Sequence, residues 1–443
     1  MTKDAVLAAI DEQAVRFINL WFTDITGQVK SVVVPAQAAS AVFDGGVHFD
    51  GSAIEGFARA AESDMLLVPD PGTFTVLPWD APEERTARLI CTVHTPQGEP
   101  FIGDPRIALM NALRQAEKHG FAYKTGCELE FFLFRPHADS SVLPLVPHDE
   151  ASYYDFSTSA TQTVRRRMLA ALLDLGIGVD SAHHEIGAGQ HEIDFHYADA
   201  LVSADQILTA RVALRTVAQR GGLHCTFMPR PRMDLAGSGM HTHQSLHDRA
   251  SGRNVFADTG SEYGLSETAR YFLAGQLHHA RAMCAVLAPL VNSYKRLGTS
   301  VEAPVYVTWA HINRGALIRV PSVPAGKEQH TRLELRCPDP TSNPYLAAAV
   351  MLLAGLDGIQ QRMALPEPVE ESLLGQDRMR LRRAETLPNS LGEALDALAD
   401  DEVILAALGP HISDRYLAAK RQEFDEYNRQ VTQWELERYL SVY

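Results

Sequence analysis

Two glutamates one residue apart, Glu128 and Glu130, interrupt the otherwise apolar run CELEFFLF. In an extended strand alternate side chains share a face, so the two acids point one way while Leu129 and Phe131 point the other. A carboxylate facing a protein interior is costly unless a cation or hydrogen-bond donors meet it. The same oddity recurs three times. In HHEIGAGQHEIDF, Glu185 and Glu192 flank a glycine-rich turn; in GSGMHTHQSL, His241 and His243 share a strand face; in TRLELRC so do Arg332, Glu334 and Arg336. Each alone is more often a solvated strand edge, a satisfied histidine pair or a surface charge ladder. Together they put at least five carboxylates, a histidine and several arginines on the inward faces of one sheet, where divalent metal and phosphate would neutralise both signs. Mostly carboxylate ligands with one imidazole suit Mg2+ or Mn2+ better than zinc or copper. Arginines facing them imply a polyphosphate, and further cations stand at Lys295, Arg296, Arg314 and Arg319. The chemistry indicated is phosphoryl transfer, in which metal ions and guanidinium groups offset charge on the moving phosphoryl group.

The elements that position these residues are marked by turn and cap signals. Residues 14–100 are short apolar segments cut by turns and predict a small β-rich module. GDPRIALMNALRQAEKHG then predicts a helix with Asp104 as N-cap, Pro105 at its first position and Gly120 beyond its last turn. This places a domain boundary, with residues 1–103 on one side and 104–443 on the other. Beyond it strands and helices alternate: CELEFFLF, the helix TQTVRRRMLAALLDLG, HEIDFHYA, the helix SADQILTARVALRTVAQRGG, LHCTFMPRP and GMHTHQSLHD. Next come one long helix over ETARYFLAGQLHHARAMCAVLAPL, the strands PVYVTWAH, ALIRVP and TRLELRCP, and a largely helical C-terminal region. ALPEPVEESLLGQDR reads as a surface loop.

Composition narrows the function classes. The 443 residues are 46% hydrophobic and 21% charged, as in an ordinary globular protein. Forty basic against 55 acidic residues give a net charge of −15, which argues against nucleic acid or an anionic membrane as the main partner. The five cysteines are odd in number and include no C-x-x-C, so neither a disulfide framework nor a zinc site is expected. The acidic start MTKDAVLAAIDEQ differs from a signal peptide, and PYLAAAVMLLAGL is too short to span a bilayer. A cytoplasmic location is expected.

The chain resembles the glutamine synthetases of the bacterial type I class. The motifs that carry the resemblance run in order along it: FDGSAIEGF, ESDM, CELEFFLF, HHEIGAGQHEIDF, GSGMHTHQSL, NSYKRL, EAPV, NRGALIRVP and RLELRCPDPTSNPYLAAAVMLLAGLDGI. The resemblance implies an α+β fold with an N-terminal β-grasp-like domain and a catalytic domain of antiparallel strands forming a partial barrel with outer helices. It also implies a dodecamer of two stacked hexameric rings, with each active site shared between neighbouring subunits. By motif match Glu130, Glu185 and Glu192 would hold one metal, and Glu128, His241 and Glu334 the other. Phe195, Tyr197, His243, Ser245, Arg319 and Arg332 match positions around ATP. Gly237, Arg296, Arg314 and Arg336 match the glutamate site, with Arg319 and Arg336 also meeting the phosphates and the acyl phosphate. Asp50 would reach in from the adjoining subunit and, with Ala53, Tyr153 and Glu185, border the amine; Glu302 matches the flap acid that shields the intermediate.

The implied reaction makes γ-glutamyl phosphate from glutamate and ATP, which gives the attacking amine a leaving group. Ammonium must lose a proton beside that intermediate, and Asp50 fits the acceptor. Three departures from the family pattern bear on the amine. Ala53 stands where a serine is usual, Ala236 where an asparagine is usual, and RLGTSVEAP replaces a Pro-Gly-aromatic flap. Two readings stay open: an ammonia ligase, or a γ-glutamyl-amide synthetase for a small alkylamine or polyamine. A non-catalytic relative is a third, opposed by retention of all six matched metal ligands. EESLLGQD carries Leu374 where adenylylated members carry tyrosine, so that control is not expected.

Overall fold

The turn signals of the first hundred residues build a sheet in the computed structural model, which describes all residues except 53, 55, 57–63, 138, 140–142, 144–145, 157–158, 299–302 and 371–384. Among the described residues this sheet has six strands: β1 (Phe17–Thr23), β2 (Val29–Pro35), β3 (Val47–Asp50), β4 (Asp64–Pro69), β5 (Thr75–Val76) and β6 (Thr86–His94). The order is β2-β1-β6-β4-β3, with β5 also pairing β6, and β1 runs parallel to β6. The period-two alternation turns Ile18, Leu20, Leu67, Leu89 and Val93 onto one buried face. Helices α1 (Lys3–Glu12) and α2 (Ala39–Gly45) cover that face with Val6, Ile10 and Val42.

Asp104 ties this sheet to the first helix of the larger unit. One carboxylate oxygen caps α3 (Pro105–Lys118) by accepting the Arg106 N–H at 2.8 Å, and the other accepts the Val93 N–H of β6 at 2.8 Å. The cap, the proline at the first helical position and the positive φ of Gly120 match the sequence signals.

The second sheet is organised on β7 (Phe121–Arg135), a strand of fifteen residues. Its path is β14-β15-β16-β13-β7-β10-β9, and β8, β11 and β12 pair with β7 elsewhere along its length. The ranges are β8 (Val146–Pro147), β9 (Val179–His184), β10 (Gln190–Phe195), β11 (Ala198–Asp199), β12 (His224–Thr226), β13 (Met240–Asp248), β14 (Trp309–Ala310), β15 (Ile318–Arg319) and β16 (Leu333–Leu335). Cys127, Leu129, Phe131 and Leu133 bury one face of β7 against α4 (Ser159–Asp174) and α5 (Ala200–Arg220). Glu128 and Glu130 therefore occupy the opposite face, as the alternation requires.

Two expectations are corrected. The stretch predicted as one long helix is two, α6 (Glu267–His278) and α7 (Ala280–Leu287). The break falls at His279, whose ring nitrogens meet Asp401 at 2.7 Å and Asp357 at 3.1 Å. The strands expected in PVYVTWAH, ALIRVP and TRLELRCP shrink to two or three residues each, and β14 pairs β15 in parallel. Apolar all round, α8 (Pro344–Gln361) fills the core beneath α3, α6 and α7. Among the described residues no helix is long and apolar enough to cross a membrane.

Candidate metal and phosphoryl-transfer site

Strand register lines the chemistry-bearing residues up in three rows across the second sheet. The first row is Arg319, Glu334, His243 and Gly126; the second is His241, Glu128 and Asp194; the third is Glu130, Glu192 and His183. Acids, imidazoles and a guanidinium from several strands thus reach one face.

Glu128 is the hub of one group. His241 Nδ1 lies 3.0 Å and His243 Nε2 2.7 Å from its two oxygens. Burial opposes its charge, but the two imidazoles hold its carboxyl far below the usual range. Glu334, fully buried, accepts from Arg319 Nη1 at 2.7 Å and from Arg336 Nη1. Glu128, His241 and Glu334 bring ligand atoms within 4.8 Å of one another.

A second group of the same kind is formed by His183, Glu185 and Glu192. His183 Nε2 lies 3.1 Å from Glu185 and 3.6 Å from Glu192. Here acids outnumber cations. Burial, and then the neighbouring charges of Glu130 and Glu128, push Glu192 up to about 12. Burial, reinforced by the charge of Glu185, pushes Glu130 up to about 8. Glu130 faces Glu192 across the strands, but its Oε2 already accepts from Gln190 Nε2 at 3.1 Å and from the Gly239 N–H at 3.0 Å. The donor chemistry of both groups, carboxylate oxygens with one imidazole each, fits Mg2+ or Mn2+.

His183 and Gln190 were missed in the sequence. Both lie inside HHEIGAGQHEIDF, yet nothing in a histidine doublet says which ring faces the acids. On the other face of β9 and β10, buried His184 and His191 join partly buried His148 and Asp149 in a polar cluster, with His184 Nε2 2.9 Å from Asp149.

Of the residues matched to ATP, all but Arg319 line one cavity. This cavity, of about 510 Å3, is lined by Glu128, Phe195, Tyr197, His243, Ser245 and Arg332 among others. Tyr197 and Ser245 share a hydrogen bond between hydroxyls, and Arg332 Nε lies 3.3 Å from His243 Nδ1. Gly126 in β7 keeps the cavity floor low, because a Cβ there would stand 3.3 Å from the Phe195 carbonyl and 3.4 Å from the Tyr197 ring.

Residues matched to glutamate divide. Buried Arg296 donates to the carbonyls of Cys337 at 2.9 Å, Pro338 at 3.2 Å and Arg336 at 2.9 Å. Gly237 and Gly239 permit this, since a Cβ would lie 2.7 Å from Arg296 Cγ or 2.5 Å from its Nη2 respectively. Arg314 is exposed and hydrogen-bonds Tyr153, whose ring stands edge-on to His183 at 5.6 Å. Asp50 ends β3 in the other sheet, exposed, and accepts the Ser52 N–H at 2.9 Å. The structure brings it to no residue of the acidic face among those described. Ala53, Glu302 and Leu374 lie outside the described residues.

Comparison with known proteins identifies the family. Residues 102–439 match the family model "Glutamine synthetase, catalytic domain", and residues 14–96 match "Glutamine synthetase, beta-Grasp domain". The chain belongs to the glutamine synthetase family. A glutamine synthetase of Thermus thermophilus is 47% identical, over 100% of this chain and 99% of the relative. One of Halobacterium salinarum is 46% identical, over 99% of this chain and 96% of the relative. Among solved structures, a GmaS/ADP complex superposes with a TM-score of 0.89 at 35% identity, covering 98% of this chain and 99% of that one. Apo GmaS gives 0.88 at the same identity. This glutamine synthetase family member therefore shares nearly its whole length with both sets of relatives.

Proposed function

We propose that this chain is a glutamate–ammonia ligase, joining L-glutamate to ammonia through γ-glutamyl phosphate while ATP becomes ADP and phosphate. The observation that carries this reading is the pair of carboxylate–histidine groups on one sheet face beside a cavity holding Tyr197, Ser245 and Arg332. Glu128, His241 and Glu334 would hold one divalent ion, and Glu185 and Glu192, with Glu130 or His183, the other. Bound there, such ions supply positive charge to the transferring phosphoryl group.

The chain's own residues do the rest. Tyr197, His243, Ser245, Phe195 and Arg332 hold the nucleotide. Arg319 and Arg336, both on Glu334, lie where negative charge grows during transfer. Arg314 meets the substrate carboxylate, while Arg296 shapes that pocket by clasping the main chain at residues 336–338. Asp50, in residues 1–103 of a neighbouring subunit, takes the proton from ammonium beside Tyr153 and Glu185, with Glu302 closing over the intermediate. Residues 104–443 carry the metal, ATP and glutamate sites. The assembly is a dodecamer of two hexameric rings working in the cytoplasm with Mg2+ or Mn2+.

A second reading, a γ-glutamyl-amide synthetase for a small alkylamine or polyamine, is favoured by Ala53 and Ala236, which remove a hydroxyl and an amide from the acceptor side. The test is γ-glutamyl hydroxamate formation from glutamate, ATP and hydroxylamine, then steady-state kinetics with ammonium, methylamine, ethanolamine and putrescine. The ammonia reading requires ammonium to have the highest kcat/KM. No hydroxamate would favour a non-catalytic relative.

A further inference from the structure

Strand β14 ends the path of the second sheet, and along a strand successive backbone groups face opposite edges. The carbonyls of Thr308 and Ala310 accept the Ile318 and Val320 N–H groups at 3.2 and 2.9 Å, so the backbone groups of Trp309 and His311 face away from β15. Residues 366–370, inside the stretch read from sequence as a surface loop, meet them there. The Val369 N–H donates to the Trp309 carbonyl at 2.9 Å, and the Trp309 indole donates to the Pro366 carbonyl at 2.7 Å. The carboxylate of Glu370 then takes two consecutive backbone donors, the His311 N–H at 2.6 Å and the Ile312 N–H at 2.8 Å.

The hold extends to Arg314. Asn313 donates from Nδ2 to the Val369 carbonyl at 3.1 Å and accepts the Gly315 N–H on Oδ1 at 2.9 Å. Arg314 stands between the two residues that Asn313 bridges, and its guanidinium reaches Tyr153, which lies against His183 of the acidic face. The Arg314 side chain is exposed, so the backbone it springs from, more than packing around it, sets where it points. Ile312 is 76% exposed, and water can satisfy its N–H in place of Glu370. What a carboxylate adds at this place is direction: two fixed, charge-assisted bonds aim the chain as it leaves the sheet toward Arg314.

We propose that Glu370 is a positioning residue for the glutamate substrate, acting through Arg314: its carboxylate, with Asn313 as second tie, fixes the 311–315 turn so that the guanidinium is already placed for the substrate carboxylate. This rests on the ligase reading above. A guanidinium held in place before substrate arrives binds it without a further ordering cost, so loosening the turn weakens glutamate and leaves the nucleotide, held by other strands, unaffected.

The test uses full-length protein and the γ-glutamyl hydroxamate assay, with glutamate and ATP varied in turn. Glu370→Ala should raise the KM for glutamate about fivefold or more, while the KM for ATP stays within about twofold and kcat at saturating glutamate changes less than the glutamate KM does. Glu370→Gln keeps one acceptor oxygen and should raise the glutamate KM by a smaller factor. Asn313→Ala loosens the same turn without touching Glu370 and should again raise the glutamate KM alone; these two variants carry the test if Glu370→Ala does not fold. An active wild-type enzyme whose variants keep the wild-type glutamate KM would overturn the proposal and spare the ligase reading. A rise of equal factor in the glutamate and ATP KM values would also overturn it, since general loosening of the fold would then be the cause. No hydroxamate from the wild-type protein would overturn the ligase reading, and the proposal with it.

Discussion

Glu130 and Glu192 are register partners on adjacent antiparallel strands, two acids opposed across β7 and β10. Like charges in that relationship repel, and burial together with neighbouring carboxylates raises Glu130 to about 8 and Glu192 to about 12. Without a cation both hold their protons to higher pH than an ordinary carboxyl does. A divalent ion needs them ionised, so its binding expels protons. Adding Mn2+ or Mg2+ to metal-free protein near pH 7 should acidify the solution, and Glu192→Gln should reduce the release. Calorimetry in two buffers of different ionisation enthalpy counts the protons; an undiminished count in the variant would locate them elsewhere.

Glu130→Gln and Glu334→Gln should each lower ligase turnover by at least about 10²-fold while leaving the fold intact, since each removes one anion without changing volume. Glu334 should also show a structural cost, because its loss leaves Arg319 and Arg336 facing a neutral amide. Turnover near the wild-type value at saturating Mg2+ or Mn2+ would sink the first ion's assignment in the Glu334 variant and, in the Glu130 variant, would leave His183 as the second ion's third ligand.

What the sequence makes legible here is what local pattern controls. Alternation in CELEFFLF puts Glu128 and Glu130 opposite Leu129 and Phe131, and the Asp104-Pro105 signal starts α3 at the expected residue. The break at His279 is not local: the aspartates that take its ring are 78 and 122 residues away. His183 joins the acidic group only because β9 pairs with β10 in one register, a fact held in the pairing and not in the doublet His183-His184. The short strands near Trp309 reflect competition from outside the sheet, where the Trp309 indole donates to the Pro366 carbonyl and the Val307 N–H to that of Glu385.

Asp50 and the acidic face sit on different sheets, so the proposed shared site predicts intersubunit complementation. Asp50→Ala and Glu334→Ala chains, each inactive alone, should regain part of the wild-type activity when co-assembled, because some sites then carry neither lesion. Verified mixed rings without recovery would mean each site is built from one chain.

His279 lies between two acceptors, Asp401 and Asp357, and so carries a proton on each nitrogen. Burial opposes that charge, but the two aspartates raise its pKa above the ordinary 6.5. A raised folded-state pKa stabilises fully below the unfolded value and ceases to do so as pH climbs through the folded one. Asp401→Asn, which can still cap the helix Glu402–Leu408, should destabilise by on the order of 1–3 kcal/mol near pH 6 and by less near pH 9. Denaturant unfolding at fixed chain concentration measures both; equal losses at the two pH values would exclude the histidinium as the cause.

Ala53→Ser separates the two amine readings. In an ammonia enzyme the restored hydroxyl should lower the KM for ammonium, by an interaction of roughly 1.5–3 kcal/mol if it meets the charged group. In an alkylamine enzyme it should cost alkylamine activity far more than ammonium activity. A ratio of the two kcat/KM values unmoved within about twofold would remove Ala53 from the acceptor pocket.

Strand β7 pairs with five others, β8, β10, β11, β12 and β13, along its fifteen residues. It therefore works as a shared ruler against which β10 and β13 are measured directly, and β9 and β16 through them. Inserting or deleting one residue within it would turn Glu128 and Glu130 into the core and Leu129 out toward the metals, against five registers at once. Length variation in relatives with the same chemistry is accordingly expected in the loops that join its partners, and forbidden between residues 121 and 135.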